Sequence, residues 1–299
     1  MPSANIRSFA IVKAHRLSGM NWCLRIAAFL ACVGLFETAL PAGVDGAGHE
    51  DIFKLTSLSD KPLRRILQKQ GVSGGYVVSL SRNSTGTKLF AVYHMPTNGN
   101  WTTVMATIST NYVRLDQVDG ATGAFDDNGR NVCVVKDQEL VFRDGKRVAF
   151  TPLTRWGFAP GGNIFYLSGP GKATSIFRTS NPTEPLLTLD GFYSQHLFQI
   201  GEEIFVFGYT RSKSDSKATG RRIIHEDGAY RVAEQIDLPR VGGVVDMAQD
   251  GRSVLLTSGG DLFATWSLYD LKTHKRTRLG HEKWYGFFLD PSLHDLFAK

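Results

Sequence analysis

Asp126-Asp127-Asn128-Gly129-Arg130-Asn131-Val132-Cys133-Val134-Val135 sets a polar turn directly against a run of β-prone residues. Asp and Asn close such turns through their own side chains, and Gly accepts the positive φ that ends them. Ala159–Leu167 repeats the arrangement with Pro160-Gly161-Gly162 as its turn, and Gln249–Leu256 repeats it with Asp250-Gly251-Arg252. Looser copies start at Ser84, Gly201 and Asp290. Copies spaced by roughly 30–50 residues, with several strands in each interval, predict a β-propeller.

Working outward from Asp126, the unit 121–153 contains four short β-prone runs. These are Gly123–Phe125, Asn131–Val135, Glu139–Phe142 and Arg147–Phe150, with the hairpin pair Asp144-Gly145 between the last two. The same four-strand grammar fits 72–119, 155–190, 192–238 and 242–280. Two end fragments remain. Tyr285–Leu289 and Asp295–Ala298 fit the inner strands of a blade, and Asp51–Thr56 and Pro62–Leu67 fit its outer strands. Joined, they complete one blade and remove free sheet edges. The expectation is an all-β, six-bladed β-propeller closed by pairing N-terminal and C-terminal strands in one blade. Leu63, Ile66 and Leu67 also have helical spacing, so 61–70 is open between an outer strand and a short helix.

The turn-and-strand segments Asp126–Val135 and Ala248–Ser258 resemble the repeat of TolB-type, WD-like β-propellers, which carry an acidic-Gly-basic turn before an apolar strand. The resemblance spans about residues 50–299, with two blades matching well. It implies a periplasmic scaffold that binds other proteins. The extra N-terminal α/β domain of TolB has no counterpart in this sequence.

At 299 residues, 42% of them hydrophobic, the chain can bury a sizeable core. The formal charge of +6 is partly local, because Arg7, Lys13, Arg16 and Arg25 precede an apolar run at Ile26–Phe36. Small residues from Ala39 to Gly48 follow. This is the order of a secretory signal peptide, read here as a leader over 1–48 before a propeller domain over 49–299. The apolar run is short for a membrane span of about 20 residues, so membrane contact is expected only through an uncleaved N-terminal anchor. The localisation expected is periplasmic or secreted. The basic stretch Arg211–Arg222 is diluted by Ser and Gly and reads as a hairpin loop, so no nucleic-acid partner is expected. Outside the leader the only cysteine is Cys133, in a predicted strand, where it reads as a small core residue.

The sequence carries no nucleophile elbow, zinc-binding His-Glu-x-x-His, Walker loop or dinucleotide fingerprint. No metal or cofactor is expected. Asp126-Asp127-Asn128 lacks the further ligands of a calcium loop and reads as an Asx-closed turn. Asn83 and Asn100 begin glycosylation sequons. The starts of the innermost strands, which open onto one rim of the channel, concentrate aromatic and basic residues: Tyr76, Arg155, Trp156, Tyr193, Arg240, Lys283, Trp284 and Tyr285. Rings beside cations make adaptable contact surfaces. The functional expectation is an exported non-catalytic binding module with a protein or peptide partner, a glycan being the other candidate ligand. The alternative is a hydrolase acting on a glycan or lactone in the axial funnel.

Overall fold

The computed structural model describes residues 54–297, apart from 59, 73, 98–99, 170–172, 212–215, 240–242, 259–263 and 283–284. It begins with β1 (Lys54–Leu58) and α1 (Asp60–Gln68). Five four-stranded antiparallel sheets follow in chain order as the blades of a propeller. Blade 1 holds β2 (Tyr76–Arg82), β3 (Leu89–Thr97), β4 (Asn100–Ile108) and β5 (Val113–Val118). Blade 2 holds β6 (Thr122–Phe125), β7 (Asn131–Lys136), β8 (Glu139–Phe142) and β9 (Arg147–Ala149). Blade 3 holds β10 (Arg155–Phe158), β11 (Ile164–Ser168), β12 (Ala173–Arg178) and β13 (Asn181–Asp190). Blade 4 holds β14 (Phe192–Ile200), β15 (Glu203–Arg211), β16 (Ser216–Glu226) and β17 (Ala229–Asp237). Blade 5 holds β18 (Gly243–Met247), β19 (Ser253–Ser258), β20 (Ala264–Asp270) and β21 (Arg276–Glu282). The chain then forms β22 (Tyr285–Leu289) and α2 (Pro291–Phe297).

The expected sixth blade is not formed, and the propeller has five blades. The end strands do pair: β1 runs antiparallel to β22, with Lys54 opposite Leu289 and Leu58 opposite Tyr285. They make a two-stranded ribbon rather than a blade. Both segments expected to widen it are helices. In α1, Leu63 and Leu67 lie one turn apart and are fully buried, and Gly71 follows at φ 81°. Between the buried positions stand Arg64 and Arg65, good helix formers, and Ile66, which packs against the same cluster. At α2 the sequence Asp290-Pro291-Ser292 is a helix start rather than a hairpin turn. Asp290 Oδ1 accepts the Ser292 N–H at 2.9 Å, and Pro291 occupies the first turn, where a missing N–H costs nothing. Leu293 and Phe297 pack beside Leu58, Leu63, Leu289 and Ala91 in one cluster. The helices thus cover the ribbon that a wider sheet would have covered.

The repeated turns do more than connect strands. Asp126 Oδ1 accepts the N–H groups of Asn128 and Arg130, each at 2.8 Å, which is the Asx closure expected from the sequence. Asp127 reaches instead across to blade 1, accepting the Ser84 N–H at 2.7 Å and the Ser84 hydroxyl at 2.8 Å. In blade 3 the turn presses so closely on blade 2 that a Cβ on Gly162 (φ 66°) would stand 2.3 Å from the Phe125 carbonyl oxygen. The turns at Asp126–Gly129 and Pro160–Gly162 thus both reverse a strand and dock on the blade before it. The sequon at Asn83 is part of this packing: Asn83 is buried and bonds Thr85, Thr87 and the Lys88 N–H.

An ion pair joins the first blade, the last blade and the closing ribbon. Arg82, at the end of β2, is fully buried, and its Nε donates to Asp246 Oδ2 at 2.8 Å while Nη2 donates to Oδ1 at 3.0 Å. Further donations go to the carbonyls of Asn83, Ser84 and Met247. Asp246 also accepts the backbone N–H groups of Met247 and Phe288, each at 2.8 Å. A bulge between Val244 and Asp246 shifts the β18 register immediately before this carboxylate, and bulges characteristically re-aim a side chain. Among the described residues no helix is long and apolar enough to cross a membrane. The leader read over 1–48 lies outside the described residues.

Candidate functional site

Strand starts on the rim side bring two aromatic groups into place. On blade 1, Tyr76 opens β2 opposite His94 of β3, and its hydroxyl lies 3.1 Å from His94 Nδ1. His94 Nε2 lies 2.7 Å from the Ala121 carbonyl oxygen, which ties the ring to the start of blade 2. Trp101 of β4 meets the Tyr76 ring edge to face at 5.5 Å, yet remains 61% exposed. It stands over a cleft of about 740 Å³ between blades 1 and 2, lined also by Thr103, Gln117, Asp119 and Asp137. Lys136, also at the cleft, is paired with Asp119. On the side of blades 3 and 4, the Arg155 guanidinium lies 5.4 Å from the centre of the Tyr193 ring.

Of the residues singled out in the sequence, the structure therefore brings together Arg155 and Tyr193, and it places Tyr76 beneath an exposed Trp. Trp156 turns the other way, since successive residues of a strand face opposite sides. It packs in the seam of blades 2 and 3 with Cys133, Phe142 and Phe165, at 6.2 Å from Phe150. Cys133 is buried there, and burial pushes its thiol up to about 12. Arg240, Lys283 and Trp284 lie outside the described residues, and Tyr285 is described only through its backbone pairing with Leu58. Sequence reasoning passed over Trp101. The signal in the sequence was the Asn98-Gly99 dipeptide shortly before it, a pair typical of hairpin turns.

His196 adds a polar group beside the Arg155–Tyr193 pair. A bulge between Ser194 and His196 in β14 places it, and its ring stacks 6.5 Å from Phe198. Burial, and then the positive charge of Arg155, hold its imidazole down to about 4, so it is neutral at physiological pH. The charged group acting on His196 is thus a cation. Burial also pushes the neighbouring Tyr166 phenol up, and its hydroxyl donates to the Gln195 carbonyl at 2.7 Å. Among the described residues no three His, Cys, Asp or Glu side chains are grouped to hold a metal ion. The rim as described offers rings, a guanidinium, polar groups and the Lys136–Asp119 pair.

Comparisons with solved structures return distant similarities. TolB from Acinetobacter baumannii aligns at 14% identity with a TM-score of 0.43, over 71% of this chain and 56% of that one. A putative TolB from Agrobacterium tumefaciens aligns at 15% identity and a TM-score of 0.46, over 73% and 84%. The β-propeller domain of the Trilobed protease from Pyrococcus furiosus aligns at 13% identity and 0.42, over 70% and 72%. The chain spans little more than half of the first of these proteins. No family model matches the sequence, and no curated protein does.

Proposed function

We infer that the chain is an exported, non-catalytic binding module that engages a protein or peptide partner through the rim of its propeller. The carrying observation is Trp101, an exposed ring held edge-on by Tyr76 above an interblade cleft. A large ring presented to solvent on a rigid strand loses little entropy on binding and supplies the apolar anchor that interfaces concentrate. Arg155, set on Tyr193, and neutral His196 provide the polar part of such a surface. The export half of this reading rests on the leader sequence.

The test is affinity capture from the envelope fraction with purified wild-type chain and with Trp101→Ala combined with Arg155→Ala. Both side chains lie outside the core, so the melting temperature stays close to wild type. Captured partner falls at least about tenfold, the scale of losing one hot-spot residue. Undiminished capture by a folded double variant sinks the proposal.

A further inference from the structure

A second groove, of about 600 Å³, lies between blades 1 and 2 at the end carrying the repeated turns, opposite the rim. Its apolar part is Val134 and Val141, which face blade 1, and Arg114, Arg130 and Arg143 line it as well. Other described arginines are mostly engaged within the protein, with carboxylates, as at Arg82, Arg222 and Arg252, or on aromatic rings, as at Arg155 and Arg178. Arg130 and Arg143 differ. Both are exposed, and neither side chain makes a hydrogen bond or ion pair with a described residue. The carboxylate in the groove, Asp116, is already held by Arg114 Nε at 2.9 Å, and a further Arg114 donation goes to the Gly129 carbonyl. The groove therefore carries two uncompensated positive charges over an apolar floor.

We propose that this groove binds an acidic peptide segment, with carboxylates on Arg130 and Arg143 and an apolar side chain on Val134 and Val141. Three features select this class. Guanidinium groups match carboxylates in planar, two-pronged geometry. The apolar floor between them rewards an apolar group flanked by acids, which a hydrated inorganic anion does not carry. The exposure of both arginines leaves the groove open, whereas small-ligand sites enclose most of their ligand. The blade turn sets this up: Arg130 directly follows Gly129 of the decisive motif, and the Arg143 N–H donates to the Val132 carbonyl at 2.9 Å.

The experiment is fluorescence anisotropy of the full chain with a labelled peptide that alternates Glu and Leu, and with a Lys-Leu peptide as control. Wild type binds the acidic peptide and not the basic one, and affinity falls as salt rises. Arg130→Glu with Arg143→Glu weakens binding at least about tenfold, as expected for loss of charge-assisted hydrogen bonds. The paired Arg→Lys variant keeps the charge, loses the fork, and falls between. Arg65→Glu, which removes an exposed positive charge on α1, and the rim variant Trp101→Ala both leave binding unchanged. Equal weakening by Arg65→Glu would reduce the effect to bulk charge. Unchanged binding by the Arg→Glu pair, or displacement by inorganic phosphate at the peptide's own concentration, would overturn the proposal.

Discussion

Arg82→Met should open the ring at its closure. The substitution keeps most of the aliphatic stem and removes a guanidinium that donates twice to Asp246 and once each to the carbonyls of Asn83, Ser84 and Met247. What remains is a carboxylate with side-chain exposure of 3%, satisfied only in part by the N–H groups of Met247 and Phe288. Breaking a buried pair from one side costs about 3–5 kcal/mol, because the surviving charge is left without compensation. A domain is stable by about 5–15 kcal/mol in total, so the loss is a large fraction. At about 2–4 °C per kcal/mol for a domain of this size, the melting temperature falls by about 6–20 °C. Arg82→Met with Asp246→Leu should cost less than Arg82→Met alone, since no buried charge then lacks a partner. Hydrogen exchange localises the damage. The Phe288 amide, which donates to Asp246, loses protection before the β11 amides of blade 3. A single variant melting within about 2 °C of wild type, or a double variant as costly as the sum of the singles, would refute the reasoning.

Further outcomes follow from the same contacts. The His196 imidazole is held down to about 4 in the fold against 6.5 when unfolded, so the unfolded chain binds the extra proton first. Its contribution to stability is full above pH 6.5 and is lost as pH falls toward 4, by about 1–3 kcal/mol. Denaturant unfolding across that window should show a steeper loss for wild type than for His196→Gln, and parallel curves would exclude the effect. Gly162→Ala should destabilise more than Gly145→Ala by at least about 1 kcal/mol. Both glycines have positive φ, but a Cβ at Gly162 meets the Phe125 carbonyl at 2.3 Å and one at Gly145 meets nothing within 4 Å. Equal melting temperatures would show that the turn does not dock on blade 2 so closely.

How much was legible in the sequence varied with the range of the interaction. The strands of all five blades could be read from Asx-Gly turns and β-prone runs, because a turn and the strand beside it are decided within a few residues. Asp290–Phe297 was misread for the same reason. Its Asp-Pro start fits a turn or a helix cap alike, and burial of Leu293 and Phe297 against the ribbon selects the helix. Leu63 and Leu67 in α1 pose the same ambiguity, since a short apolar run fits either period until its neighbours are known. At the candidate site, Arg155 and Tyr193 were named from position along the chain. That Arg155 stacks on Tyr193 while Trp156 turns into a seam depends on strand register, which sets the face each side chain takes.

By itself the chain of residues determined a propeller of turn-linked antiparallel strands, with the strand starts carrying its aromatic and basic groups. The tertiary structure alone decided the number of blades, the buried Arg82–Asp246 closure, the exposure of Trp101 and the convergence of Arg130 and Arg143. Turns and strand periodicity arise from neighbours in sequence. Closure, exposure and charge clustering arise between residues far apart in the chain, such as Arg82 and Asp246, and exist only once the blades have packed.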